Sequence, residues 1–81
     1  MGMLRVISKR GDDCVQWNEQ DAQAGAAEAL AAIREAERIF AQERARGATA
    51  YRVEVDKPVE RIEQFDPSAE QIILVPRVVG G

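Results

Sequence analysis

The sequence predicts an α+β domain in which four to five strands pack, through one face, against one long helix. An apolar stripe at helical spacing crosses the middle of the chain, and short alternating strands flank it on both sides. The densest apolar run, Ile72–Val75, stands near the carboxyl end. Because one helix cannot cover both faces of a sheet, we expect the other face to be open.

Composition limits the chain to one small domain with a single core, since it has 81 residues. Its 46% apolar and 31% charged content is typical of a globular protein. The net charge of -3 disfavours nucleic acid as a partner, because that partner needs a basic face. With no histidine and one cysteine, Cys14, we predict no internal disulfide, no metal site and no cofactor. The start of the chain does not resemble a signal peptide and the apolar runs are short, which predicts a cytoplasmic protein without membrane contact.

Two strands are predicted ahead of the helix. Met3–Lys9 alternates so that Leu4 and Val6 point to the core, and Cys14–Trp17 forms the second strand. Gly11 lies in the polar segment between them and tolerates a positive φ. The two strands are therefore expected to form a hairpin.

The long helix is predicted from Ala26 to Arg46, where Gly47 provides a natural end. Asn18 is a good helix cap but Gly25 weakens the pattern, so residues 18–25 are expected to form a loop or a separate turn. The stripe expected to face the sheet consists of Ala26, Leu30, Ile33, Ala36 and Phe40.

Three more strands are predicted after the helix: Ala48–Val55, a weaker strand Val59–Phe65, and Gln71–Val75. Asp66–Ser68 is expected to form one helical turn, because aspartate caps well and proline suits the first helical position. The strand residues expected to meet the helix are Leu4, Val6, Val15, Trp17, Tyr51, Val53, Ile72 and Leu74.

The last strand is apolar on both faces, which indicates either a central strand or a strand whose open face binds a partner. Pro76 has no N–H and therefore ends the strand ladder. We expect residues 1–76 to form the domain and residues 77–81 to project from it as an extended tail without packing. Such a tail reaches roughly 17 Å.

The Gly80-Gly81 pair suits an acyl donor that reacts in the active site of another protein. A carboxylate must first be activated, for example as a mixed anhydride with AMP. Glycines fit a narrow channel because they have no Cβ, and they adopt backbone angles closed to other residues. The alternative is a flexible end with no function.

Taken together, the order of elements and this carboxyl end resemble the ubiquitin-like β-grasp proteins. That superfamily includes ubiquitin, its bacterial relatives and the sulfur carriers of molybdopterin and thiamine synthesis. The order covers nearly the whole chain, but the residues match closely only at the end. Ile72 and Leu74 fall where ubiquitin has core leucines, and Val75 falls where it has an exposed valine. Arg77 stands where ubiquitin has an arginine that activating enzymes recognise. The segment from Pro76 to Gly81 is more similar to the Pro-Val-x-Gly-Gly end of the molybdopterin carriers.

The resemblance implies a mixed sheet and a protein modifier that is not itself an enzyme. An activating enzyme would use ATP to adenylate Gly81, contacting Gly80 and the tail residues Arg77, Val78 and Val79. A conjugating enzyme, a deconjugating peptidase and a target protein with a free amine are the further implied partners. One alternative is a sulfur carrier with a thiocarboxylate on Gly81. A second alternative is a binding or assembly module with an incidental Gly-Gly end.

Three apolar residues, Ile7, Ile73 and Val75, are candidates for an exposed docking patch. The alternative is that a loop or another subunit covers them. For Arg77 the alternative to recognition is a solvated tail residue. Cys14 is predicted to be inert rather than nucleophilic, because the sequence contains no histidine to activate it.

Overall fold

A computed structural model describes residues 2–7 and 13–77 of the chain. Over these ranges the protein is an α+β domain with a mixed sheet and a helix packed on it. Its elements, in chain order, are β1 Gly2–Val6, β2 Asp13–Trp17, α1 Glu19–Gln23, α2 Ala27–Ala45, β3 Thr49–Val53, β4 Glu60–Ile62 and β5 Gln71–Val75.

The sheet has five strands in the order β2-β1-β5-β3-β4. β1 and β5 run parallel, and the other neighbouring strands are antiparallel. The last strand is therefore central, as its two apolar faces predicted. The predicted hairpin is also confirmed, since β1 and β2 pair antiparallel with Leu4 opposite Val15.

One face of the sheet forms the core with α2. Leu4, Ile72 and Leu74 are fully buried and contribute three adjacent strand positions to this face. Trp17 is also buried, as predicted, and its indole N–H donates a hydrogen bond to the Pro67 carbonyl oxygen at 3.1 Å. The remaining members of the core cluster are Val6, Ala36, Phe40, Ala50 and Ala69.

The predicted helix stripe is right in its second half and wrong in its first. Ala36 and Phe40 are buried and Ile33 is half-buried. Leu30, however, is 40% exposed, while Ala29 is buried in its place. Ala26 is exposed and precedes the first residue of α2. The inward face of the first turns is therefore one position away from the stripe that apolar bulk suggested.

The assignment of β3 to a face was also wrong. Ala50 lies opposite Leu74 and is fully buried, so it is Ala50 that faces the helix. Tyr51 and Val53 lie on the other face of the sheet and are half-buried. Val55 is 73% exposed, beyond the end of the strand. Ala36 and Ala50 are both fully buried, which indicates that small side chains fill the space between helix and sheet here.

Residues 18–25 form a short helix and a turn, consistent with a break before the long helix. The Asn18 side chain caps α1 by accepting a hydrogen bond from the Asp21 N–H at 3.1 Å. Gly25 has φ 83°, a left-handed conformation that separates α1 from α2.

The segment that precedes β5 is a turn rather than the expected helical turn. The Asp66 carboxylate accepts hydrogen bonds from the backbone N–H and the hydroxyl of Ser68. It also accepts one from Arg52 of β3 at 2.9 Å. A side chain that satisfies local donors in this way offers the backbone an alternative to a helix. The strand bounds also differ: β1, β3 and β4 are shorter than predicted, and Ser8 and Lys9 lie outside the described residues.

Candidate functional site

The candidate site is the central strand β5 together with the point where the chain leaves it. β5 pairs with β1 on one side and with β3 on the other, so Ile73 lies between Arg5 and Tyr51. The Ile7 N–H adds a hydrogen bond to the Leu74 carbonyl oxygen at 3.1 Å. Pairing ends at Val75, as expected for a strand followed by proline. The segment before the tail is therefore held from both sides.

The predicted docking residues lie on or beside the open face of the sheet. Ile73 and Val75 are half-buried there, and their register with β3 places Tyr51 beside Ile73. Ile7, directly after β1, is 41% exposed. Tyr51 and Val53 enlarge this apolar surface. The sequence pattern did not identify them as surface residues, because it predicted that they face the helix. We call Ile7, Tyr51, Val53, Ile73 and Val75 the open-face patch.

The charged strand residues on the described part of the open face are two arginines. Arg5 pairs with Ile73 across the parallel ladder, and Arg61 pairs with Tyr51 across β3 and β4. The other described strand residues on this face carry no acid; they are Met3, Cys14, Gln16, Thr49, Val53, Gln71 and Val75.

The chain leaves the sheet through Pro76 and Arg77, which are both exposed. Arg77 is the one residue of the predicted tail that the structure describes; it is exposed, and its side-chain stem passes close to Gly47. A Cβ placed on Gly47 would be 3.2 Å from Cδ of Arg77. Val78, Val79, Gly80 and Gly81 lie outside the described residues, so their predicted roles stay predictions.

Gly47 closes the C-terminal end of α2 in a left-handed conformation, with φ 96°. Its N–H donates to the Arg44 carbonyl oxygen at 3.0 Å, and the Ala48 N–H donates to the Glu43 carbonyl oxygen at 3.0 Å. This pair of bonds is a Schellman motif, which satisfies helix carbonyls that otherwise lack partners. The Arg44 guanidinium donates a further bond to the Ala48 carbonyl oxygen at 2.9 Å. Hydrogen bonds therefore close the helix end beside Arg77, and we call this end, centred on Gly47, the platform.

The main electrostatic cluster among the described residues supports the fold. Arg52 of β3 forms ion pairs with Asp66 at 2.9 Å, Glu60 at 3.4 Å and Glu54 at 3.8 Å. The hydrogen bond to Asp66 is the main cause that raises the pKa of Arg52. The pKa of Asp66 is lowered, chiefly by the Ser68 hydroxyl and with a contribution from Arg52. This cluster ties β3 to β4 and to the turn that precedes β5.

Cys14 is exposed on the edge strand β2, opposite Arg5. Its predicted inertness stays a prediction. Over residues 2–7 and 13–77, no three or more acidic, cysteine or histidine side chains are grouped so as to hold a metal ion. Neither helix in these ranges is both long and apolar enough to cross a membrane.

Comparisons of the chain with protein-family models, with curated proteins and with solved structures found no match.

Proposed function

We propose that this chain is a ubiquitin-like protein modifier with a β-grasp fold, whose Gly81 carboxylate is activated by a partner enzyme and joined to an amine of a target protein. The support for the fold is the arrangement of the sheet. A hairpin, a crossing helix and a last strand inserted parallel to the first are compatible with a β-grasp domain.

The observation that carries the proposal is the central position of β5, which ends at Val75, a short tail before the Gly-Gly end. Two neighbouring strands hold Gln71–Val75, and the described chain then leaves the sheet through two exposed residues. An element that is buried on one face and paired on both edges is a rigid support for a reactive group. In this proposal the chemistry at Gly81 belongs to the partner enzyme.

In the proposed reaction, a Gly81 carboxylate oxygen attacks the α-phosphorus of ATP and pyrophosphate leaves. A cysteine thiolate of the partner then attacks the acyl carbon, AMP leaves, and a thioester forms. A target amine finally attacks the thioester carbon, which forms an amide and releases the thiol. The fold contributes a docking surface, the open-face patch, and a fixed starting point for the tail.

The test uses the purified 81-residue chain, labelled through its N-terminus, in an extract of the cells that produce it. With Mg-ATP we expect covalent species of higher mass, which are absent without ATP and absent when Gly80 and Gly81 are deleted. The deletion lies beyond the strand ladder, so its urea unfolding curve is expected to match that of the full chain and serves as the control for folding.

Intact-mass measurement of the recovered chain separates the alternatives. A gain equal to the replacement of one oxygen by sulfur at Gly81, with no conjugates, would establish a sulfur carrier. If neither a conjugate nor this mass gain forms, and binding to extract proteins survives the Gly-Gly deletion, the chain is a binding module and the proposal is wrong.

A further inference from the structure

Arg77 lies two residues beyond the last ladder pair, yet its position continues the register of the sheet. Thr49 is opposite Val75 in the antiparallel β3–β5 pair. Extending that register past Pro76 places Arg77 opposite Gly47, and the side chain of Arg77 is indeed found there. Two independent features of the chain, the strand register and the helix end, therefore meet at this contact.

We propose that Arg77 is a positioning residue whose aliphatic stem, seated on Gly47, fixes the direction in which the tail leaves the domain. The inference rests on the proposed function, because it assigns Arg77 a role in presenting Gly81. It also moves the boundary of the domain: the anchored part ends at Arg77, not at Pro76.

The geometry explains why the platform is a glycine. A Cβ on Gly47 would lie 3.2 Å from Cδ, 3.6 Å from Cβ and 4.0 Å from Cγ of Arg77. The stem carbons thus occupy the space that a side chain at position 47 would need. The φ of 96° at Gly47 also favours glycine. The guanidinium extends beyond these carbons, and a cation beside a helix C-terminus is favoured by the helix dipole.

Anchoring Arg77 shortens the part of the chain that can enter a partner. Five residues after Pro76 would reach roughly 17 Å, whereas the four residues after Arg77 reach at most about 14 Å at 3.3–3.6 Å per residue. The activating enzyme must then bring its reactive centre within that distance of the end of α2. The contact thereby sets how closely the two proteins must dock.

The first experiment looks for the contact itself in the free protein by NMR. We expect nuclear Overhauser effects between the α protons of Gly47 and the side-chain methylene protons of Arg77. Their absence would overturn the inference, whatever the outcome of the conjugation assay.

The second experiment separates the stem of Arg77 from its charge. Arg77→Met keeps an unbranched stem without a guanidinium, and Arg77→Ala removes both. We expect the Met variant to form conjugates in the extract at close to the wild-type rate and the Ala variant about fivefold more slowly, the effect of losing one modest contact. If the Met variant is as slow as the Ala variant, the guanidinium is what matters and the positioning role of the stem is wrong.

Gly47→Ala and Gly25→Ala form a matched pair for the platform. Both glycines have a positive φ, so both substitutions introduce the same kind of backbone strain. Only the methyl group at position 47 meets Arg77, since a Cβ at Gly25 has nothing within 4 Å. We expect shifted Arg77 methylene resonances and slower conjugation for Gly47→Ala alone. Equal effects in both variants would overturn the inference.

These experiments also distinguish a failure of the positioning role from a failure of the proposed function on which it rests. If the wild-type chain forms no ATP-dependent product, the proposed function fails, and the positioning role fails with it even where the NMR contact is present. If conjugates form but the Met, Ala and Gly47 variants all match the wild type, only the positioning role is wrong.

Discussion

Leu74 and Ile73 are neighbours in the central strand, but truncating them is expected to have very different effects. Leu74 is 0% exposed in the core. Leu74→Ala removes buried carbon atoms and leaves a cavity, which costs about 3 kcal/mol. Ile73 is half-buried on the open face, so part of its side chain already contacts water. Ile73→Ala is expected to cost about 1 kcal/mol.

The size of the domain makes this difference measurable. At about 0.05–0.15 kcal/mol per residue, a chain of 81 residues is stable by about 4–12 kcal/mol. Trp17 is the single tryptophan and is buried, so its fluorescence reports unfolding in urea. With a slope of about 1 kcal/mol per molar urea, the midpoint falls by about 3 M for Leu74→Ala and about 1 M for Ile73→Ala.

Conjugation in the extract provides the second readout for the same pair. Ile73→Ala is expected to remain folded at room temperature. Under the proposed function it is also expected to lose most of the ATP-dependent conjugation, because it removes the centre of the open-face patch. Equal destabilisation by the two substitutions would refute the assignment of their faces. Normal conjugation by a folded Ile73→Ala chain would show that the patch does not dock the partner.

Two further predictions concern stability. Trp17→Phe removes the hydrogen bond to the Pro67 carbonyl and leaves a small cavity, so we expect a loss of about 2 kcal/mol. The loss is measured by circular dichroism in urea, and an unchanged midpoint would contradict it. Asp66→Asn tests the pH dependence, because hydrogen bonds from Ser68 lower the pKa of Asp66 below its ordinary value of 3.8 in the folded state. A depressed folded pKa gives stability that is present above 3.8 and is lost as the pH falls through the folded value. The stability difference between wild type and Asp66→Asn should therefore shrink below pH 3.8, and a difference that stays constant down to strongly acid pH would refute this sign.

The parts of the fold that the sequence predicted well are those with an unambiguous apolar pattern. In β1, the charged Arg5 lies between Leu4 and Val6 and points to the opposite face, which indicated that Leu4 and Val6 face the core. The structure buries both of these apolar residues. Apolar residues on both faces of Gln71–Val75 indicated either a central strand or a strand whose open face binds a partner, and the structure places β5 in the centre of the sheet. The end of α2 at Gly47 followed from the conformation that glycine alone adopts easily.

The errors arose where small side chains face the core. Ala50 has a much smaller apolar side chain than Tyr51 and Val53, so apolar bulk suggested the wrong face of β3. The same bias selected Leu30 instead of Ala29 in the first turns of α2. The proximity of Arg77 to Gly47 could not be predicted for a different reason: it depends on the register between β3 and β5, which the local apolar pattern of these two distant strands does not reveal.

The central position of β5 also has a consequence for synthesis on the ribosome. Until Gln71–Val75 has been translated, the β1–β2 pair and the β3–β4 pair have no strand between them, and each leaves an inner edge unpaired. Unpaired edges invite association with other chains, and the pairing of Leu4 with Ile72 closes most of the sequence into one loop, which is slow to form. A nascent chain therefore completes its sheet only after its carboxyl-terminal region has been made. Under the proposed function, a truncated chain that lacks the reactive end also lacks the strand that completes the fold, and cellular proteolysis would remove it.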